Sequence, residues 1–273
     1  MSAYQAGGVY RTKLGTRAQA LWITDYYTSP RSARNAVAAY TSRAAAQGKT
    51  PVLAIYAIPG RDCGLYSSGG LSSYRAYRAW TAAVARGLRG HRAIVVVEPD
   101  AVAFMGDSRC VHPGPRQRAI AFAVKRFARA GAWVYVDAGH SGWRDPKTIA
   151  SLLKRSGMKW ARGFSTNVGN HRLTRDEHVY GTQVVRALRK IGLKNRKYVT
   201  ETARNGADPA PPNGDVCNPW SARVGRSPRM VFRGAFDGYL WIKNPGESDG
   251  TCNGGPAPGV WWPAGADSLL GRG

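Results

Sequence analysis

Seven short apolar runs recur along this chain, each with little polar alternation. They lie at residues 21–24, 52–58, 93–97, 133–137, 163–166, 197–200 and 239–242. Longer segments rich in Ala, Arg and Leu, with apolar residues near helical spacing, lie at 74–88, 116–130, 146–156 and 177–191. Strands buried on both faces are continuously apolar, and alternation of strand and helix is typical of a parallel sheet. The sequence therefore predicts one α/β domain over residues 1–273, with a parallel sheet closed or nearly closed into a barrel.

The third apolar run continues into Glu98, Pro99 and Asp100. Pro99 cannot donate to a sheet ladder and disfavours helical backbone at Glu98, so we expect an extended Glu98 and Asp100 in a loop. A carboxylate after the carboxyl end of a buried strand indicates a catalytic site. The alternative is that Asp100 only caps a helix in the Ala-Val-Ala-Phe segment that follows it.

Polar residues follow most of the predicted strands. They are Arg61, Asp62, Asp100, Asp137, His140, Asn167, Glu201, Arg204, Lys243 and Asp249. Because the carboxyl ends of parallel strands meet at one rim of a barrel, we expect these side chains to lie together there. A hydrophobic content of 43% with nine Trp is enough to fill one large core. No apolar run is long enough to span a bilayer.

The four cysteines form no Cys-x-x-Cys pair, and His112 beside Cys110 does not complete a zinc-ligand pattern, so we expect no metal. All four fall in the predicted rim loops, which favours disulfides. Among three connectivities we favour Cys63 with Cys110 and Cys217 with Cys252. Disulfides require an oxidising compartment, so we expect a secreted, extracellular protein whose export signal is absent from this chain.

Forty Lys and Arg against sixteen Asp and Glu give a net charge of +24. Such a charge raises nucleic acid as a partner. However, the cations are spread over several predicted helices, without a zinc finger, an RNA-binding aromatic platform or a phosphate-binding glycine loop. We therefore expect no dedicated nucleic-acid function. Non-specific adsorption to polyanions needs only charge and is expected, with acidic wall polymers or an anionic cell surface as candidates. That this charge serves attachment to such material is a hypothesis, and we favour a generally basic composition without a binding role.

An ordered set of motifs resembles glycoside hydrolase family 6. The motifs are Tyr56-Ala-Ile-Pro-Gly-Arg61-Asp62-Cys63, Val97-Glu98-Pro99-Asp100, Val136-Asp137-Ala-Gly-His140-Ser-Gly-Trp143, Thr166-Asn167, Thr202-Ala-Arg204-Asn205-Gly206 and Trp241-Ile-Lys243-Asn-Pro-Gly-Glu247-Ser-Asp249-Gly250. The resemblance implies a distorted seven-stranded parallel β/α barrel that cleaves β-1,4-glucan with inversion at the anomeric carbon and needs no cofactor.

The same resemblance implies roles for five residues. Asp100 matches the general acid, and Asp62 matches the carboxylate that raises the pKa of that acid. Asp249 matches the proposed base, acting directly or through a chain of waters. Ser68 matches a serine that helps to hold water, and Tyr56 a tyrosine beneath the reacting sugar. From the residues alone, an ion pair of Asp62 with Arg61 or another rim Arg is the alternative.

Sugar binding needs aromatic faces and a polar rim. Trp143 resembles a family platform on the leaving-group side, and Trp22 is a candidate platform on the other side. The remaining candidate sugar contacts are Asp137, His140, Asn167, Arg204, Trp241, Lys243 and Glu247. The alternative for Asp137 is a structural pair with Arg204.

Loop length separates two modes of action. Family cellobiohydrolases roof the cleft with long loops, whereas only Gly250 and Thr251 lie between Asp249 and Cys252 here. We therefore expect a monomeric endo-β-1,4-glucanase acting on cellulose or mixed-linkage glucan. The alternatives are a cellobiohydrolase of the same family and a non-catalytic glucan or cell-envelope binding protein.

Overall fold

A curled sheet of eight strands forms the centre of the protein, in a computed structural model that describes residues 1–110 and 113–272. The strands are β1 (Leu21–Thr24), β2 (Val52–Tyr56), β3 (Ile94–Val97), β4 (Trp133–Asp137), β5 (Gly163–Thr166), β6 (Lys197–Glu201), β7 (Arg229–Arg233) and β8 (Phe236–Leu240). Their order in the sheet is β1-β2-β3-β4-β5-β6-β8-β7. The neighbours from β1 to β6, and β6 with β8, are parallel, whereas β7 and β8 form an antiparallel pair.

The helices are α1 (Ala3–Ala6), α2 (Gly8–Tyr10), α3 (Pro30–Ala46), α4 (Tyr74–Gly87), α5 (Pro113–Arg129), α6 (Pro146–Arg155), α7 (Thr174–Lys190) and α8 (Pro263–Leu269). Helices α3 to α7 join the consecutive parallel strands β1 to β6 and cover the outside of the sheet, whereas α1 and α2 precede β1 and α8 follows β8. Side chains that accept hydrogen bonds from first-turn amides begin several of the helices. Ser29 forms a capping box at α3, Ser73 caps α4, and Asp145 caps α6 ahead of a proline. The predicted helices are confirmed, and α3 is an additional one.

The parallel strands are apolar because both of their faces are buried. Leu53, Ile55 and Val95 face the helices in the larger core, whereas Ala54 and Val96 face the barrel interior in a second cluster. Continuous burial of β2 and β3 explains why their sequences show no polar alternation. The prediction of an α/β barrel domain is therefore confirmed.

The strand count differs from the prediction. Seven strands are parallel as expected, but the antiparallel β7 adds an eighth at one edge. The last parallel strand, β8, also begins before the predicted run at 239–242. At the opposite edge, the N–H of Ala20 donates to the carbonyl of Trp241 (3.0 Å), which brings the start of β1 to the end of β8. The result is a distorted, partly closed barrel.

Both predicted disulfides are present. Cys63 bonds to Cys110 with a Cα–Cα distance of 5.0 Å, and Cys217 bonds to Cys252 with one of 6.1 Å. Both bonds tie loops that follow the carboxyl ends of parallel strands. Within residues 1–110 and 113–272, no helix has the length and apolar character needed to cross a membrane.

Candidate active site

A cleft of about 690 Å³ opens at the carboxyl ends of the parallel strands. Most of the predicted site residues line it, namely Trp22, Tyr56, Asp62, Asp100, His140, Trp143, Lys243, Glu247 and Asp249. These residues come from loops or strand ends all around the barrel. The barrel topology therefore brings together side chains that are far apart in the sequence.

The segment after β3 delivers Asp100 to the cleft through left-handed backbone. Glu98 has a φ of 50° and Asp100 a φ of 67°, so the prediction of an extended Glu98 is wrong. The buried Glu98 carboxylate accepts hydrogen bonds from the amides of Ala57 and Ile58 (3.2 Å each), which fixes this turn against β2. Residues 101–106 form turns rather than a helix, so the alternative in which Asp100 caps a helix there is also wrong.

Electrostatics favour the protonated form of Asp100. Desolvation is the largest cause that raises its pKa well above the ordinary value, followed by the negative charges of Asp137, Asp62 and Asp249. Burial also raises the pKa of Asp62, and this is opposed by a hydrogen bond from the N–H of Ser67 (2.7 Å) and by the positive charge of Arg61. Asp100 is therefore a carboxylic acid that can keep its proton at a pH where an ordinary Asp is ionised.

Asp137 lies behind Asp100 rather than in the cleft. Its side chain is buried, and Oδ2 accepts hydrogen bonds from the amides of Asp100 (2.9 Å) and Gly139 (3.0 Å). Oδ1 accepts from the Ser165 hydroxyl (3.0 Å). Burial raises the pKa of Asp137 to about 7, while these hydrogen bonds favour its ionised form. The structure therefore places Asp137 as a support for Asp100, not as a sugar contact, and not as a partner of Arg204.

The loop that carries Asp62 is held by an ion pair between Arg61 and Asp25. Arg61 also donates to the carbonyls of Ser67 (2.9 Å) and Tyr56 (2.9 Å). Asp25, which follows β1, accepts a hydrogen bond from the N–H of Gly70 (2.9 Å). In the part of the chain that the structure describes, Asp62 forms no ion pair, so the alternative of a pair with Arg61 is wrong.

The two serines of this loop have different positions. Ser67 lines the cleft, and its hydroxyl donates to the carbonyl of Asp249 (3.2 Å). Ser68 is exposed and lies outside the residues that line the cleft. The sequence motif therefore pointed to the right loop, but the serine in the cleft is its neighbour.

The surroundings of Asp249 lower its pKa, whereas those of Asp100 raise the pKa of that residue. The Asp249 carboxylate pairs with Arg204 (2.7 Å) and Lys243 (3.2 Å) and accepts a hydrogen bond from the N–H of Asn218 (3.0 Å). Burial alone raises its pKa, but the charges of Arg204 and Lys243 outweigh burial, and the net pKa lies well below the ordinary value. Asp249 is therefore ionised at any pH at which the protein is expected to work.

Aromatic side chains line the cleft together with the carboxyl groups. The ring of Trp22 meets that of Tyr56 edge-on at 5.3 Å, and its indole N–H donates to the carbonyl of Ile242 (2.7 Å). Trp143, which follows β4, packs edge-on against Phe104 at 4.6 Å and also lines the cleft. These contacts hold the rings in place while leaving Trp22 and Trp143 half-exposed.

His140 is a neutral hydrogen-bonding group. Burial is the main cause that lowers its pKa to about 4, and the charge of Arg172 lowers it further. Its Nδ1 accepts a hydrogen bond from the N–H of Gly142 (3.2 Å), which assigns the ring proton to Nε2. The imidazole can therefore donate one hydrogen bond toward the cleft.

Three other predicted sugar contacts are buried and engaged elsewhere. Asn167 donates to the carbonyl of Glu201 (3.1 Å), and the guanidinium of Arg204 holds Asp249 and the carbonyl of Gly169 (2.6 Å). Trp241 is 2% exposed, and its indole donates to the carbonyl of Arg226 (2.8 Å). All three lie outside the residues that line the cleft, so the structure places them as supports rather than as contacts.

Sequence reasoning did not identify the role of two supporting residues. Glu201, at the end of β6, accepts hydrogen bonds from the amides of Gly169 (2.7 Å) and Lys243 (2.7 Å). Asn218 holds Asp249 through its own N–H and accepts from the N–H of Asp249 (2.8 Å). The position of Glu201 after an apolar run indicates that it lies at the rim of the barrel. Nothing in the sequence around Asn218 indicates this contact.

Among the described residues, no group of three or more His, Cys, Asp and Glu side chains is arranged to hold a metal ion. His112, the histidine next to Cys110 in the sequence, lies outside the described residues.

The barrel fold, the carboxyl groups of Asp100 and Asp249 and the aromatic cleft form the kind of site that glycoside hydrolases have. The model of the glycosyl hydrolases family 6 matches residues 5–272, and this chain belongs to that family. It is 43% identical over 251 residues to Endoglucanase A of Cellulomonas fimi, covering 92% of this chain and 53% of that protein. It is 36% identical to Endoglucanase A of Thermobispora bispora, covering 93% of this chain and 55% of that protein. The chain thus spans about half the length of these two relatives.

A solved structure shows the same fold. It is the endoglucanase Cel6 from Mycobacterium tuberculosis in complex with methyl-cellobiosyl-4-deoxy-4-thio-β-D-cellobioside. The two chains are 38% identical with a TM-score of 0.89, and the match covers 98% of this chain and 91% of that one.

Proposed function

We propose that this chain is an endo-β-1,4-glucanase that cleaves glucan with inversion, with Asp100 as its general acid. The observation that carries the proposal is a pair of carboxyl groups in one cleft whose pKa values are pushed in opposite directions. The pKa of Asp100 is raised well above normal, and that of Asp249 is lowered well below it. Such a divergence is the pattern expected of an acid and a base that serve one reaction.

Asp100 would protonate the oxygen that leaves with the aglycone part of the chain. A general acid is most effective when its pKa is near the working pH. Desolvation and the neighbouring charges of Asp137 and Asp62 shift Asp100 in that direction. Asp62 would act through its charge, in line with the prediction, and its proximity to the loop disulfide at Cys63 supports its fixed position.

A water molecule would attack the anomeric carbon from the opposite face of the sugar. In inverting enzymes the two carboxyl groups lie roughly 6.5–9.5 Å apart to leave room for that water. Asp249 is the candidate base. Because Arg204 and Lys243 lower its pKa, it would be a weak direct base and would polarise the water while the proton passes on to solvent. The Ser67 hydroxyl donates a hydrogen bond to the backbone carbonyl of Asp249. Ser67, rather than Ser68, is therefore the serine best placed to hold that water.

The lining of the cleft suits a glucan chain better than a single sugar. Its aromatic rings are Trp22 on β1 and Trp143 after β4, strands that lie on either side of β3 in the order of the sheet, and each ring offers an apolar face for the C–H face of a glucose ring. Tyr56 contacts Trp22 and would lie beneath the reacting sugar. The polar groups His140, Lys243 and Glu247 line the same cleft and would contact hydroxyls.

Endo action is supported by the short segments around the cleft. Gly250 and Thr251 span the distance from Asp249 to the disulfide at Cys252, and the cleft wall nearby contains exposed Gly214, Val216 and Gly259. Such short segments would leave this side of the cleft open, so that a glucan chain could enter anywhere along its length. The names of the two curated relatives support the same conclusion. The two disulfides support secretion into an oxidising environment.

The test uses neutral mixed-linkage β-glucan as substrate. We expect viscosity to fall well before reducing ends accumulate, and proton NMR during the first minutes to show the α-anomer as the initial product. Viscosity that falls in proportion to reducing ends would indicate a cellobiohydrolase instead. An initial β-anomer would contradict inversion, and the absence of any cleavage on this glucan or on amorphous cellulose would favour a binding protein.

A further inference from the structure

The end of the barrel opposite the cleft is basic. The carboxyl-terminal turns of α3 to α7 and the turns that lead into the next strands contain many cations and not one acidic residue. We call this surface the basal face. It is formed by residues 43–51, 86–93, 125–132, 154–162 and 186–196, which contain 17 Lys and Arg.

The acidic residues lie almost entirely at the other end. With one exception, every Asp and Glu of the chain is the last residue of a parallel strand or follows one on the cleft side. The exception is Asp237, which is 1% exposed and is bound by Arg162 (2.7 Å) and the Tyr135 hydroxyl (2.6 Å). The net charge of +24 is thus strongly polarised, and the basal face carries no exposed negative charge.

Helix stability does not account for this pattern. Cations in the last turn of a helix interact favourably with its dipole, but the effect fades within that turn. Lys49, Arg92, Lys159 and Lys194 lie beyond the helix ends, in the turns, and are exposed. Among the described residues, Arg162 is the only basal cation in an ion pair. The other charges therefore repel one another without compensation, which a structural role would not require.

Exposed aromatic rings lie among these cations. Trp160 is 38% exposed, with the Nζ atoms of Lys125 and Lys159 at 4.9 and 5.7 Å from its ring centre and the Cζ of Arg129 at 5.5 Å. Trp133 is 39% exposed with the Cζ of Arg162 at 4.1 Å from its ring centre. A ring flanked by cations can pack against the C–H face of a sugar while the cations pair with its carboxylate.

We propose that the basal face binds an acidic polysaccharide whose sugars carry carboxylates, and that it does so independently of the cleft. Charge and aromatic faces together match a uronic acid chain better than they match a neutral glucan, which has no charge to pair. The face consists of helix ends and short turns, so it presents no helix or strand that enters a groove of duplex DNA. The preference for a polysaccharide over nucleic acid rests also on the proposed function, which places the protein among plant or microbial wall glucans.

The test compares two variants of equal net charge. The basal variant combines Lys159→Gln, Arg189→Gln, Lys190→Gln and Lys194→Gln. The control variant removes the same charge from exposed arginines near the cleft-side ends of three helices. Its changes are Arg31→Gln, Arg34→Gln, Arg75→Gln and Arg118→Gln. Binding to polygalacturonate is measured by titration calorimetry at about 0.15 M salt, where only close contacts remain unscreened.

We expect the basal variant to bind polygalacturonate about tenfold more weakly than wild type, and the control variant to change less than threefold. The single variant Trp160→Ala should also weaken binding to polygalacturonate, and it should leave binding to duplex DNA unchanged. Equal weakening in both charge variants would overturn the proposal, because net charge alone would then explain adsorption. Tighter binding of DNA than of polygalacturonate, lost in the basal variant, would overturn it in favour of nucleic acid. Hydrolysis of neutral mixed-linkage glucan is followed in parallel, and its absence would instead contradict the proposed function.

Discussion

Asp137 shows how a residue outside the cleft can set the chemistry of one inside it. Its carboxylate holds the amide of Asp100 at 2.9 Å, and its charge is among the causes that raise the Asp100 pKa. The sequence placed Asp137 correctly at the end of a strand but could not assign its role. A carboxylate that touches sugar and one that supports a neighbour have the same position in the chain. Only the direction of the side chain and its burial distinguish them.

Replacing Asp137 by Asn should shift the pH dependence of catalysis. Without the negative charge, the pKa of Asp100 falls, so the acid loses its proton at lower pH. We expect the alkaline limb of the kcat profile to move down by about one pH unit, with kcat at pH 7 reduced about tenfold and KM little changed. The control is Asp145→Asn, which removes an equal charge at the exposed cap of α6. An unchanged alkaline limb in Asp137→Asn would show that its charge does not act on the acid.

Individual loops hold the catalytic groups through disulfides and backbone contacts. The bond between Cys217 and Cys252 closes a segment with a sequence separation of 35 that contains both Asp249 and its partner Asn218. The even number of loop cysteines predicted disulfides, and the favoured pairing, one of three connectivities, is the observed one. The contact of Asn218 with Asp249 could not be predicted from the sequence, because it depends on how the closed loop folds back on itself.

Removing this disulfide should affect stability and activity together. For the double variant Cys217→Ser with Cys252→Ser, we expect the free energy of unfolding to fall by about 2–4 kcal/mol. We also expect kcat to fall about tenfold, because Asn218 no longer fixes Asp249. Urea unfolding and steady-state kinetics measure the two effects. Loss of stability with an unchanged kcat would show that the loop positions Asp249 without the bond.

At the scale of the whole molecule, the sequence predicted the parallel sheet well because its strands are buried on both faces. It missed β7, whose residues Arg229–Arg233 are half-buried or exposed and carry charge at both ends. It also missed α3, where Ala, Ser and Arg give only weak separation of apolar and polar faces. Elements at the surface of a barrel leave a weaker pattern than those in its core.

The buried carboxyl groups predict how stability depends on pH. Burial raises the folded-state pKa of Glu98 and Asp137 to about 7 and that of Glu201 to about 8. In the unfolded chain these groups ionise near pH 4. The folded state therefore binds more protons between these values, so their stabilising effect is greatest at low pH and is lost as pH rises through 7 to 8. The buried His140 and His171, with pKa values lowered to about 4 and about 3, reduce stability only at acidic pH.

We therefore expect the melting temperature to fall between pH 6.5 and pH 8.5. Between pH 6.5 and pH 8.5, a group with a folded pKa of about 7 loses about 0.8 kcal/mol of stabilisation, and one with a folded pKa of about 8 loses about 2 kcal/mol. Differential scanning calorimetry checks the trend, and Glu98→Gln should flatten it. A melting temperature that is constant or rises across this range would show that the carboxyl groups are ionised in the folded protein at neutral pH.

Asp100 is proposed to protonate the leaving oxygen, and a change of leaving group tests that role most directly. We would measure kcat/KM of wild type and Asp100→Asn on mixed-linkage β-glucan and on 2,4-dinitrophenyl cellobioside, whose leaving group needs no proton. We predict a loss of about 10² or more on the glucan and less than tenfold on the dinitrophenyl substrate. Equal losses on both substrates would contradict the role of Asp100 as general acid.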